Sequence, residues 1–368
     1  MNNNGVIGTL DTMIIGGGQA GLALGHYLKE QNRTFLIVDA HPRTGDAWRQ
    51  RWDSLRVFTP AKFDGLPGIP FPADPLSFPT KDDVAGYLEG YAARFDLPVL
   101  NGVRIEHLWR EDGRFIAASN GRRWEAHNVV VATGCSQAPK VPGFAAELAP
   151  AVVQLHSSEY RNLEQLQEGP VLVVGLGNSG AEIGLEVSRS HPTVVAGKPG
   201  GEIPVKHGPT AARYFLPVVR FVGLHVLTLN NPIGRKAAPS FKAHAAPLIR
   251  TKSKDLAAAG VMLVPRIAGV EGGLPVLADG TTLEVSNVIW CTGFRDDFGW
   301  MDPAMLDGGA LPRQRRGVAL DTPGLFFLGQ EFLYAAASAT LPGASRDARY
   351  LAGRIPVPAL RESARTAT

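Results

Sequence analysis

Cysteine is nearly missing: Cys135 and Cys291 are the only two in 368 residues. They form no Cys-x-x-Cys pair, which excludes a disulfide framework, a cysteine metal site and a thioredoxin-type dithiol. No metal is expected. An excess of one charge is also missing, with 37 Lys and Arg against 34 Asp and Glu, a formal net charge of +3. No block of like charges stands out, so nucleic acid is not an expected partner. No apolar run reaches the ~20 residues of a membrane span. The most apolar stretch, Phe215 to Leu229, contains Arg220 and His225 and reads as a core or interface helix. Met1-Asn2-Asn3-Asn4 lacks the charged and apolar regions of a signal peptide, so a cytoplasmic protein is expected.

Glycine, in contrast, is plentiful: 42 residues, where a share of about 7% is usual. At about 150 residues per domain the length suggests two domains or three. Asp11 to Ile15 is a short apolar strand ended by Gly16-Gly17-Gly18. A helix pattern follows from Ala20 to Lys29, then a second strand from Thr34 to Val38, closed by Asp39. Gly16-x-Gly18-x-x-Gly21, between strand and helix, is a dinucleotide fingerprint. Its glycines allow the tight turn, the close approach of a pyrophosphate and the packing of helix on strand. Gln19 and Ala20 open that helix. Asp39 stands where a carboxylate accepts from ribose hydroxyls.

The pattern returns at Val171 to Val174, followed by Gly175-x-Gly177-x-x-Gly180, with Asn178 and Ser179 inside the turn, a helix near Ala181 to Ser190 and a strand from Thr193 to Val195. No acid follows this strand; Ala196-Gly197-Lys198 does. A carboxylate would repel a 2′-phosphate and a lysine attracts one, so the first site suits FAD or NAD and the second NADPH. Asn128 to Gly134 and Asn287 to Gly293 are two apolar strands, each ending in Thr-Gly (Thr133-Gly134 and Thr292-Gly293). Near the C-terminus, Leu325 to Leu328 reads as a buried strand. Gly329 follows it, where two-dinucleotide flavoproteins hold the ribityl chain and flavin ring, and Gln330 stands where Asp is usual. Trp48 to Pro79, rich in Pro, Gly and aromatics, reads as an ordered loop lining a pocket. Glu362 to Thr368 reads as a frayed tail.

From about Leu10 to Ile355 the chain resembles the class B flavin-containing monooxygenases, most of all the YUCCA-type enzymes that oxygenate indole-3-pyruvate. Gly45-Asp46-Ala47-Trp48-Arg49 is similar to the family's Gly-Gly-x-Trp flavin segment, with Asp46 in place of the second glycine. Phe78 to Lys81 and Tyr87 to Glu89 match the segment before the adenine-contacting strand. Leu155 to Tyr160, with His156, looks like the tail of the monooxygenase fingerprint, with Pro150 and Val152 where the full fingerprint has Phe and Gly. The two Thr-Gly links match those between FAD and NADP domains, and Pro342 to Ala348 is similar to the YUCCA C-terminal segment.

The resemblance implies an α/β fold of two Rossmann-like dinucleotide-binding domains, glutathione-reductase-like, with the NADPH domain inserted in the FAD domain. The expected bounds are 1–165 and 286–368 for FAD, and 166–285 for NADPH. It places Trp48, Arg49, Val103, Thr133, Gly134, Thr292, Gly293, Gly329 and Gln330 beside the cofactors together with the two glycine triplets, Asp39 and Lys198. His156 is expected as a hinge residue before any role in proton chemistry. The implied activity is NADPH- and FAD-dependent insertion of one atom of O₂ into a small soft nucleophile or keto compound through a flavin C4a-hydroperoxide. A reductase or oxidase serving a quinone or electron carrier, or a flavin-bearing redox sensor, is the alternative. The partners are a small-molecule substrate and O₂, with no nucleic acid and no membrane span, and with a homodimer left open.

Overall fold

A computed structural model describes residues 6–243, 246–308 and 310–357. The tail expected at Glu362 to Thr368 lies outside the described residues. Two parallel sheets dominate. The first contains β1 (Val6–Ile15), β2 (Phe35–Val38), β3 (Val99–Leu100), β4 (His107–Glu111), β5 (Arg114–Ser119) and β6 (Arg122–Val131). The second contains β7 (Val153–His156), β8 (Val171–Val174), β9 (Thr193–Ala196), β10 (Met262–Val264) and β11 (Asn287–Trp290). β12 (Leu325–Phe327) returns to the first. The first sheet's central order is β12-β6-β1-β2-β3, all parallel. The second runs β10-β9-β8-β11-β7, also all parallel. β7 and β11 fall outside the 166–285 expected for the second unit, yet both hydrogen-bond into its sheet.

Parallel strands covered on both faces read as continuous apolar runs, and Val171–Val174 is buried at every position. α1 (Gln19–Glu30) buries Leu22, Ala23, Leu24 and Leu28 against the first sheet beside α2 (Lys81–Arg94) and, from the far end of the chain, α4 (Leu341–Ala352). α2 is started by a reciprocal capping box between Thr80 and Asp83. α3 (Asn178–Val187) packs in the same way on β8 and β9. The opposite face of the first sheet is closed by the β4–β5–β6 antiparallel layer, which buries Trp124 and Phe115.

The chain's far ends are latched together by one arginine. Arg33, after α1, forms an ion pair with Asp11 in β1 and donates to the carbonyls of Ile355 at 3.1 Å and Pro356 at 2.7 Å. Asn128 in β6 donates to Asp11 O and Pro356 O, each at 3.1 Å. The Arg33 side chain is only 6% exposed. Removing one partner of a buried pair strands the other charge and costs about 3–5 kcal/mol. Arg33→Ala should lower the urea unfolding free energy by that amount, with the m-value unchanged.

Candidate functional site

Both glycine turns follow the same backbone rule. At the end of β1, Ile15 lies between Val38 and Val131. Gly16 N then donates to Val38 O at 2.8 Å, and Ala132 N to Ile15 O at 2.7 Å. Gly16 has φ +116°, and a Cβ on it would stand 2.4 Å from Ala132 O; one on Gly21 would stand 2.0 Å from Gly16 O. Gly18 differs, for a Cβ there would meet nothing within 4 Å. It N-caps α1 without a side-chain bond, and the first turn carries no acid. The amides of that turn therefore face an open space suited to an anion.

Asp39 closes this cradle. Its Oδ2 accepts from Gly17 N at 2.6 Å, and its Oδ1 from His41 N at 2.8 Å and His41 Nδ1 at 2.9 Å. Burial works to raise its pKa, but the bonds from His41 and Gly17 outweigh it and hold the carboxyl below its usual range. His41 is raised in turn, first by its bond to Asp39. Val103, buried, donates its N–H to Asp39 O at 2.9 Å. Trp48 Nε1 donates to Gln19 Oε1 at 3.3 Å, tying the short helix Asp46–Arg49 to the start of α1. Arg49 is held by Thr44 O, Asp46 and Glu89. On the neighbouring strand end, a Cβ on Gly329 would stand 3.0 Å from Ala20 Cβ. Gln330 next to it is 4% exposed, and its Nε2 is buried without a hydrogen-bond partner.

The second cradle repeats the first. Val174 lies between Ala196 and Trp290, Gly175 N donates to Ala196 O at 2.8 Å, and Cys291 N to Val174 O at 2.8 Å. A Cβ on Gly175 would stand 2.3 Å from Cys291 O, and one on Gly180 1.8 Å from Gly175 O. Gly177 N-caps α3, again without a side-chain bond. Asn178 is occupied by the protein itself, with Nδ2 on Pro247 O at 3.1 Å and Oδ1 accepting from Ile249 N at 2.9 Å; Ser179 follows it in the first turn. Lys198 is exposed beyond Gly197, where β9 ends.

The links between the two sheets run side by side. Beyond Thr133-Gly134 and Thr292-Gly293, Ala138 pairs with Arg295 and Pro139 with Phe294, antiparallel. Gly134 and Gly293 take φ +73° and +80°, which favour glycine. His156, 2% exposed, clamps this ribbon. Ser158 N donates to its Nδ1 at 3.2 Å, so the proton is on Nε2, which donates to Gly293 O at 3.0 Å. Burial lowers its pKa, keeping the ring neutral. That geometry ties the ring to the Gly293 end of the ribbon. Sequence reasoning missed three neighbours: His41, Gln137 and Arg51. Gln137 donates to Thr133 Oγ1 and Gly134 O, both at 2.9 Å, and Arg51 stands 5.6 Å over the Phe294 ring. His41 was visible only as an imidazole two residues after Asp39; nothing in the local pattern marks the others.

One buried carboxyl lies outside this frame. Asp64, in the loop after β2, is fully buried, bonds to Thr59 Oγ1 through one oxygen and has no partner for the other. Burial pushes its pKa from 3.8 up to about 7, against the Thr59 bond. A raised carboxyl is protonated in the fold while the unfolded chain has released its proton, so stability is lost as pH rises from about 4 to about 7. Asp64→Asn should therefore leave stability near pH 4 little changed and raise it near pH 8, by at most roughly 4 kcal/mol, read from urea midpoints.

A family model described as pyridine nucleotide-disulphide oxidoreductase matches residues 13–210. The chain is 39% identical over 345 residues to an uncharacterized CzcO-like oxidoreductase of Geobacillus kaustophilus, covering 93% of this chain and 97% of the relative. It is 28% identical to a probable indole-3-pyruvate monooxygenase, YUCCA8 of Arabidopsis thaliana, over 81% of this chain and 78% of that protein. Among solved structures, a flavin-containing monooxygenase from Stenotrophomonas maltophilia superposes with a TM-score of 0.76 at 29% identity, covering 95% of this chain and 98% of the other. With the two cradles and their Thr-Gly links, these matches show that the chain belongs to the pyridine nucleotide-disulphide oxidoreductase family and, within it, to the class B flavin-containing monooxygenases.

Proposed function

We propose that the protein is an NADPH-dependent oxygenase that binds FAD at the first cradle and NADPH at the second, and passes one oxygen atom to a small sulfide, amine or keto compound. The observation that carries this reading is the doubled cradle joined by one ribbon. Two nucleotides bound at the ends of parallel sheets would meet across Thr133-Gly134 and Thr292-Gly293. FAD fits the residues present: Gly18 leaves the space a pyrophosphate needs, α1 begins uncapped, and the Gln330 amide is buried with no partner of its own. The proposed FAD unit comprises 1–165 and 286–368, with β7 and β11 of these stretches built into the other sheet, and the NADPH unit 166–285.

In this reading the flavin, reduced by NADPH, supplies the reaction with O₂. The chain's own work is to bind and orient. Asp39, ionised, accepts from the ribose hydroxyls of FAD. Lys198, the cation after β9, meets the 2′-phosphate of NADPH. Trp48 and Gln19 brace the wall of the first cradle, and His156 fixes the ribbon between the nucleotides without changing charge near neutral pH. Water would divert oxygen to peroxide, so this reading requires it to be kept from the flavin.

Because a Cβ at Gly18 meets nothing in the protein, Gly18→Leu should melt as the parent does once stripped of flavin, and should purify colourless. Full flavin absorbance in that variant would remove FAD from this cradle. A charge-assisted contact to phosphate is worth about 1.5–3 kcal/mol, so Lys198→Ala should lower the preference for NADPH over NADH by about tenfold or more in rapid-mixing reduction of the flavin. The activity itself is tested with labelled O₂ and methyl phenyl sulfide. Label in the sulfoxide, with less peroxide released per NADPH than without sulfide, is expected. Stoichiometric peroxide with every substrate, together with turnover stimulated by quinones, would replace oxygenation with the reductase reading.

A further inference from the structure

Between Glu202 and Asp255 the chain has no Asp or Glu but nine Lys and Arg. The whole chain has 37 basic and 34 acidic residues, so everything outside this segment is net negative. The segment is also where large apolar side chains lie open. Tyr214 is 69% exposed, Val218 57%, Phe221 58% and Ile233 60%, four in one stretch, whereas others such as Met262, Leu320 and Val357 are spread along the rest of the chain. They belong to helices Pro209–Tyr214, Leu216–Phe221 and Pro232–Ala243, the first two continuing through a wide turn at Val222–Val226.

The spacing turns these residues into a surface. Tyr214, Val218, Phe221 and His225 recur at helical intervals and form one exposed stripe, while Ala212, Leu216 and Leu224 are buried. Arg213 and Arg220 flank the stripe, both exposed, and beyond the bend Arg235 and Lys236 flank Ile233. Phe215 to Leu229, expected as a core or interface helix, thus has one buried and one open side. The loop after it leads into a cleft of about 440 Å³ lined by Leu229 and Asn230 and by Arg315, Arg316 and Arg354, with no carboxylate in its lining. Arg316 is held there between the rings of Tyr334 at 4.0 Å and Tyr350 at 3.9 Å.

We propose that the helical segment Pro209–Ala243 docks this protein on the surface of an anionic phospholipid bilayer. The apolar stripe enters the acyl boundary, the flanking cations meet headgroup phosphates, and the arginine cleft takes one headgroup at the edge. Neither a soluble partner nor nucleic acid accounts for both features as well: a basic face for nucleic acid needs no open Val, Phe and Ile, and an apolar subunit contact needs no acid-free sequence. Lipid surfaces ask for both at once. Among the described residues no helix is long and apolar enough to cross a membrane, so the attachment is peripheral and salt-sensitive.

The test is flotation of the full-length protein with vesicles of phosphatidylcholine alone, and of equal parts phosphatidylcholine and phosphatidylglycerol. Binding only to the mixed vesicles, weakening as salt is raised, is expected. The double variant V218D/F221D and the charge reversal R213E/K236E should each weaken it by about tenfold or more. Their melting profiles should match the parent, since all four side chains are exposed. No flotation with the mixed vesicles, or equal flotation with both compositions, overturns the proposal. So does binding that the charge reversal weakens and V218D/F221D leaves intact, because that is adsorption without insertion. If sedimentation instead shows a dimer that V218D/F221D dissociates, and the parent does not float, the stripe is a subunit contact and the proposal falls.

Discussion

The structure depends on a shortage of space at two places. Where β1 and β8 end, the chain must turn into a helix while the next strand over runs past within touching distance. The carbonyls of Ala132 and Cys291 lie where a side chain at Gly16 or Gly175 would need to be. No other residue satisfies both the positive φ and the missing Cβ. The same crowding recurs one helical turn later, at Gly21 and Gly180, so each helix starts at a fixed height above its sheet. Everything the site requires, from the direction of the helix amides to the place of Asp39, is referred to that contact.

Much of this was legible because it is local. Strand, glycine turn, helix and strand follow one another within a short stretch, and apolar runs such as Val171–Val174 announce a doubly covered sheet. The C-terminal contributions were legible only as patterns at Thr292-Gly293 and Gly329-Gln330. Their meaning is pairing across the chain, which periodicity does not encode. Sheet membership is the clearest case. β7 and β11 flank the second βαβ unit in sequence and look like parts of the first, but their hydrogen-bond partners are β11 and β8. Arg33 could not be distinguished from any surface arginine, since its partners Asp11 and Pro356 come from opposite ends of the chain. Gln137 and Arg51 act through a ribbon that exists only after both links have folded.

The contact between the two halves joins apolar packing, with Trp52 and Leu55 set against the core of the second half, to a group of polar bonds. Side chains of one half reach backbone carbonyls of the other: Arg250 to Arg56 O, and His207 Nε2 to Phe58 O at 2.9 Å. Ser54 Oγ reaches the carboxylate of Glu186 in α3. Arg250 also stands 3.5 Å from Glu182 in α3, whose carboxyl burial pushes up to about 7 against that arginine. These polar contacts add a fixed orientation to that packing, at modest net gain per bond.

The matching cradles also carry two kinds of information that are often entangled in nucleotide-binding proteins. The turn that makes room for a phosphate is dictated by a neighbouring backbone, and it is the same in both halves. The residue that follows the second strand differs between the units: Asp39, bonded to Gly17 N within the first turn, and Lys198, exposed beyond the second. On the reading proposed above, the first half therefore ties nucleotide choice into its turn, and the second half carries it apart. Exchanging Lys198 would leave the Gly175 turn as it is, whereas exchanging Asp39 would also remove the acceptor of Gly17 N.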